Sequence, residues 1–244
     1  MINEFMSGHS HWAGIKHRKG INDAKRANIF TKAGRIVTIA AREGGGNLDT
    51  NFKLKLAIDQ ARSVNMPNVN IERAIKRGTG ELKDATEISE VMYEAYGPGQ
   101  VAMLIKTATD NKNRTLGEIK NILTKAGGKM VPAGSVSFLF KQVGNINIPV
   151  KGGEDPYALE LKAIEAGAED TIYSDNTLTI YTKPEELQKV REHLEGHKII
   201  IEDARLVFAP IQKNKLEEDN KLDYEKLLET LDNQDDVQEI YDNL

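Results

Sequence analysis

The stretch Ser7–Gly20, SGHSHWAGIKHRKG, collects three histidines, the chain's one tryptophan and a cluster of Lys and Arg. Metal binding is the first chemistry these types suggest, with His9 and His11 one residue apart and His17 following. A zinc site needs three or four convergent ligands, each oriented by a further hydrogen bond. His-x-His in a tail offers two, no other His, Asp or Glu stands at helical spacing beside them, and His193 and His197 lie far along the chain. No metal site is expected. The chain has no Cys, which removes disulfides and thiolate sites. It also lacks an HExxH pair, a Walker-type phosphate loop and a GxSxG elbow, and Gly44-Gly45-Gly46 follows a helix where a phosphate loop would precede one. No catalytic residue, cofactor or small-molecule substrate is expected, so the chain does not read as an enzyme.

The pattern does suit contact with a polyanion. Lys25, Lys32, Arg35 and Arg42 are spaced 7, 3 and 7 residues apart. At about 100° per residue they occupy roughly a quarter to a third of a helix circumference. Such a stripe either lies along phosphates or is a solvated face. Lys16, His17, Arg18 and Lys19 in the tail, with Arg26 on the helix, extend the same surface. Trp12 is either a platform on which a base stacks or a hydrophobic anchor of the tail. A segment so rich in Gly, Ser, His and Lys cannot offset its own ordering entropy, and is expected to order only against its partner.

These residues need a scaffold, and the rest of the chain describes one. Among 244 residues, 39% are hydrophobic and 29% charged, enough for more than one core. Residues 1–78 hold 14 Lys and Arg against 6 Asp and Glu, while residues 79–244 hold 19 against 31. A basic module on an acidic body favours a nucleic-acid partner at one end, and protein partners on the acidic remainder. No apolar run approaches the roughly 20 residues that span a bilayer, and no secretory signal is visible, so a cytoplasmic protein without membrane contact is expected. Residues 1–5, MINEF, precede Met6 and read as a leader outside the fold.

Periodicity supplies the elements. Ala27, Phe30, Ala33, Val37 and Ala40 mark a first helix from Asn22 or Asp23 to the glycine run. A second runs over Thr50–Asn65, capped by Asp49 or Thr50, and a third over Val69–Arg77. Gly97-Pro98-Gly99 suits a type II hairpin turn, Thr115-x-x-Glu118 a capping box that opens a helix, and SVSFLF a strand. Residues 144–204 then read strand, helix, strand, strand, helix and strand, the last being KIIIE. That order is the ferredoxin-like split unit. ARLVFAPI, a helix over Asp223–Asp232 and the strand VQEIYDN complete the earlier sheet. The expected fold is α+β and multidomain: a basic three-helix domain with its tail over 6–80, an α/β sandwich domain over 81–142 plus 205–244, and a ferredoxin-like α/β domain inserted over 143–204.

GHSHWAGIKHRKGINDAKRANIFTK, NMPNVNIERAIKRGTG, YEAYGPGQVAMLI, TDNKNRT and GGKMVPAGSVSFLF closely resemble the signature stretches of the YebC family. That family includes bacterial regulators of the PmpR type and the mitochondrial translational activator of cytochrome c oxidase subunit I. The likeness runs from Met6 onward, with His11 where Lys is more usual and a different loop at Gly44–Asn47. It implies three domains with the last inserted in the second, no enzymatic activity, and regulation of gene expression through nucleic acid. It also implies a role for Lys16, His17, Arg18, Lys19, Lys25 and Arg26, with Lys32 and Arg35 next along the helix. The leading expectation is a DNA-binding transcriptional regulator. A translation factor on ribosomal RNA and a protein-interaction adaptor are the other two readings.

Overall fold

A computed structural model of the chain describes residues 23–82 and 87–244, with side chains from Arg26 onward. Contacts divide it into two compact units, one reaching Phe140 and resuming at Pro210, the other spanning Lys141–Ala209.

The first unit opens with three helices, α1 (Asp23–Gly44), α2 (Phe52–Ser63) and α3 (Asn68–Gly78). Their shared core is small and alanine-rich: Ala33, Val37, Ala40, Ala41, Leu54, Ala57, Ile58, Ala61, Ile71 and Ala74. Short side chains let the helix backbones approach closely, and Gly78 marks the tightest point. A Cβ there would lie 2.4 Å from the Thr38 carbonyl oxygen. The cap of α2 is neither Asp49 nor Thr50 but the buried Asn51, which accepts from the Leu54 N–H and donates to the carbonyls of Ala40 and Gly45. One amide thus satisfies a helix start and the preceding turn, which the more exposed Asp49 and Thr50 do not do.

A four-stranded sheet follows in the order β3-β1-β2-β8, from β1 (Ser89–Tyr96), β2 (Ala102–Thr109), β3 (Lys129–Val131) and β8 (Val237–Asp242). β1 and β2 form the hairpin expected around Gly97-Pro98-Gly99, with Gly99 in the left-handed region at φ 68°. Helices α4 (Lys112–Lys125) and α7 (Glu218–Asp232) contribute Ile119, Leu123, Tyr224, Leu227 and Leu231 to one core with Met103, Ile105 and Ile240 of the sheet. α4 starts one turn earlier than its sequence suggests. Asn111 caps it by accepting the Arg114 N–H, which frees Thr115 for the interior.

SVSFLF is not a strand. The Glu94 carboxylate, buried on β1, accepts the N–H groups of Gly134 (2.7 Å), Val136 (2.6 Å) and Ser137 (3.1 Å). These bonds curl the chain into a 3-10 turn over Ser137–Leu139 before the next strand begins at Phe140. Burial pushes the Glu94 carboxyl up, but the three backbone donors outweigh it and hold its pKa below the ordinary value.

The second unit has a sheet in the order β5-β6-β4-β7, from β4 (Phe140–Pro149), β5 (Asp170–Ser174), β6 (Thr177–Thr182) and β7 (Asp203–Pro210). Helices α5 (Pro156–Ala166) and α6 (Leu187–Gly196) connect them, so the chain order is βαββαβ, the ferredoxin-like arrangement. Its last strand is DARLVFAP and not KIIIE, so ARLVFAP closes this inserted sheet instead of completing the first one, which only β8 completes. KIIIE holds three consecutive isoleucines between two charged residues, whereas β7 alternates, burying Arg205, Val207 and Ala209. A strand with one covered face follows alternation rather than bulk hydrophobicity. The whole is α+β and multidomain.

Candidate nucleic-acid interface

Of the stripe's described side chains, Lys32 and Arg35 are taken up within the fold and Arg42 is exposed. Lys32 is 3% exposed. Its Nζ donates to the carbonyl oxygen of Asp232, at the end of α7, and pairs with the carboxylate at 3.4 Å. Burial is the main influence on its ammonium and lowers its pKa, with Asp232 opposing.

Arg35 goes to a still more elaborate site. Its Nη1 donates to the Asp236 carboxylate (2.5 Å) and to the carbonyls of Asp235 (2.7 Å) and Ala108 (3.0 Å). Asp236 also accepts from Arg114 Nη2 (2.9 Å), Thr115 Oγ1 (2.6 Å) and Thr109 Oγ1 (3.3 Å). Burial alone would raise the Asp236 carboxyl. The hydroxyl of Thr115 and the guanidinium groups of Arg114 and Arg35 bring it down to about 2. The stretch TDNKNRT therefore has a structural use: Thr109, Arg114 and Thr115 enclose one carboxylate that receives α1. Beside this network Ile39 of α1 packs with Ile88 and Ala108.

The remaining expected residues are scattered. Arg42 is exposed and pairs with Glu87 at 3.1 Å. Arg26 is exposed in the first turns of α1. Lys25 lies on α1 ahead of the side chains described, and Trp12, Lys16, His17, Arg18 and Lys19 lie outside the described residues. Lys32 and Arg35 thus belong together, but in a contact that seats α1 on the sheet. Their replacement by Glu would place carboxylates against Asp232 and Asp236 and disturb the fold before it reported on any ligand.

Sequence reasoning passed over α3. Arg73 and Lys76 are exposed there, three residues apart, with Arg77 half-buried beside them. Spacing of three and four on a helix puts such residues on neighbouring positions of one face, a signal present in NIERAIKRG. On the described part of α1, α2 and α3, Arg26, Lys55, Arg62, Arg73 and Lys76 are exposed and form no ion pair. No group of three or more His, Asp or Glu that could hold a metal occurs among the described residues, and no helix among them is long and apolar enough to cross a membrane.

The architecture has known counterparts. The chain superposes on the crystal structure of a conserved hypothetical protein from Aquifex aeolicus with a TM-score of 0.86, at 44% identity and 96% coverage of both chains. It is 49% identical over 238 residues to a probable transcriptional regulatory protein of Petrotoga mobilis, covering 98% of this chain and 94% of the relative. A protein of the same description from Thermotoga petrophila is 48% identical over 243 residues, covering 98% and 93%. Residues 10–81 match the TACO1/YebC protein N-terminal domain, and residues 88–244 match the TACO1/YebC second and third domain. With both family models satisfied and the helices and sheets arranged as in the solved relative, the chain belongs to the TACO1/YebC family.

Proposed function

We propose that this protein is a cytoplasmic regulator of gene expression that binds nucleic acid, acting on transcription through DNA contacts of its helical N-terminal region. The observation that carries this reading is the group of exposed cations without ion-pair partners on the three N-terminal helices, Arg26, Lys55, Arg62, Arg73 and Lys76, in a chain whose remainder is acidic. Cations that the fold does not use internally are available to phosphates. Family membership supports the reading, since the curated relatives are named as probable transcriptional regulatory proteins. The proposed organisation keeps three parts, 6–80, 81–140 with 210–244, and the insertion 141–209, whose ends move from 143 and 204 because β4 and β7 both belong to the inserted sheet, with the tail residues Trp12, Lys16, His17, Arg18 and Lys19 extending the basic surface. No cofactor, metal or small-molecule substrate is part of it, and the acidic α/β parts are free to meet proteins.

The exposed cations are spread over three helices, an arrangement suited to phosphate contact more than to readout of base edges. Duplex DNA should therefore bind with a salt-dependent affinity, and preferred sequences should exceed random ones by less than a factor of about 10³. Fluorescence anisotropy with promoter and random duplexes at several salt concentrations checks this. Affinity independent of salt would overturn the electrostatic mechanism, and a preference for ribosomal RNA at matched salt would move the reading to translation.

A further inference from the structure

Between α1 and α3 the surface sinks into a groove of about 450 Å³, bounded at one end by Ile88 and Asp110 of the sheet region. We propose that this groove is the seat of a single nucleotide unit of the bound nucleic acid, with its phosphate held between Arg35 and Arg73. The inference rests on the nucleic-acid reading given above and assigns it a location. A volume of this size falls in the range of about 300–1,000 Å³ typical of small-ligand sites.

The groove carries the two kinds of surface a nucleotide needs. α1 lines it with Arg35, Thr31 and Phe30, the last half-buried against the helical core, and α3 lines it with Asn70, Arg73 and Arg77. Asn70, Arg73 and Arg77 are three and four residues apart on α3, so they follow one another along one face of it. Asp110 is the acidic residue lining the groove, and it pairs with Arg114 at 3.0 Å. Arg35 and Arg114 share Asp236, so these two arginines and two aspartates balance one another. Arg73, exposed and in no ion pair among the described residues, gives the groove its positive sign.

Arg35 is the more telling member. All three of its hydrogen bonds leave from Nη1, and among the described residues no bond claims Nε or Nη2. Its guanidinium is therefore fixed in place along one edge while two donor nitrogens remain for a ligand. A planar guanidinium held rigid in this way is prepared for phosphate oxygens at little entropic cost. Phe30 supplies a ring against which a base can stack.

The test uses the full-length protein, the wild type beside Arg73→Glu and Phe30→Leu. The probes are a random DNA 20-mer, single-stranded and as a duplex, adenosine 5′-monophosphate and inorganic phosphate. Arg73 is exposed and makes no hydrogen bond or ion pair among the described residues, so R73E should keep its thermal transition, and a second variant, R73A, controls for charge reversal. The expected result is at least tenfold weaker 20-mer binding by R73E and a salt slope smaller by about one ion. F30L should weaken the nucleotide while leaving inorganic phosphate unchanged. Wild-type 20-mer binding that R73E and R73A leave intact overturns the groove assignment while the nucleic-acid reading stands. Nucleotide binding lost in R73E, in a protein that binds no 20-mer or duplex, keeps the groove and overturns the nucleic-acid reading. Wild-type protein that binds none of the probes overturns both.

Discussion

Asp236 is the residue on which the first unit turns. Its side chain is 2% exposed, yet its charge is retained because two guanidinium groups and two hydroxyls converge on it. The stability this provides has a defined pH window. The carboxyl pKa is lowered from 3.8 to about 2 in the folded chain, so its contribution is complete above about pH 4 and is lost as the pH falls toward 2. A shift of this size corresponds to on the order of 2 kcal/mol. Asp236→Asn should lower stability at pH 7 by about 2–3 kcal/mol, near the lower limit for a buried pair because Arg35 keeps partial exposure. Chemical denaturation from pH 2 to pH 7 would show a shallower acid limb in the variant. An acid limb identical to the wild type would mean that other carboxylates govern it.

At the scale of elements, the decisive feature is how a carboxylate on a strand shapes a distant loop. Glu94 lies within β1, and its three acceptor bonds to residues 134–137 turn the end of an apolar stretch away from the sheet. Phe138 is left 66% exposed as a result. Glu94→Gln places an amide NH2 against backbone donors, so it should cost about 1.5–3 kcal/mol, the range for hydrogen bonds to a charged group. Hydrogen exchange provides the local check, since the amides of Val136 and Ser137 should lose protection while those of β2 keep theirs. Uniform loss across the sheet would show that Glu94 supports the whole unit instead of the loop.

At the scale of the molecule, the second unit is an insertion in the chain of the first. The Ile211 N–H donates to the Leu139 carbonyl at 2.8 Å, so the chain leaves and re-enters the first unit at adjacent points. Close ends of this kind make an insertion separable. The inserted unit has its own buried residues, among them Ile146, Ile148, Leu178 and Ile180 of the sheet and Leu187 and Leu194 of α6. A chain in which a short Gly-Ser turn replaces residues 141–209 should therefore retain a cooperative thermal transition, and the excised segment 141–209 should fold alone. Circular dichroism on the two pieces tests this, and a non-cooperative melt of either would show that the units depend on each other.

Much of this was determined by local sequence. The three helices, the β1–β2 hairpin and the βαββαβ order of the insertion follow from periodicity, glycines and prolines, because those signals act within a few residues. The ends of elements did not follow where a distant group competes with the local one. Asn51 takes the cap because it also reaches Ala40 and Gly45, and Thr115 leaves its capping-box role for Asp236, 121 residues away. KIIIE yields to the alternating DARLVFAP for the same kind of reason, a covered face that only the assembled sheet defines. The candidate site shows the limit most clearly. Spacing placed Lys32 and Arg35 on one face of a helix, but a helical face carries no mark of what it will meet, and only the tertiary fold brought Asp232 and Asp236 to it. The same docking set Arg35 beside Arg73, which lie 38 residues apart in sequence and line one groove.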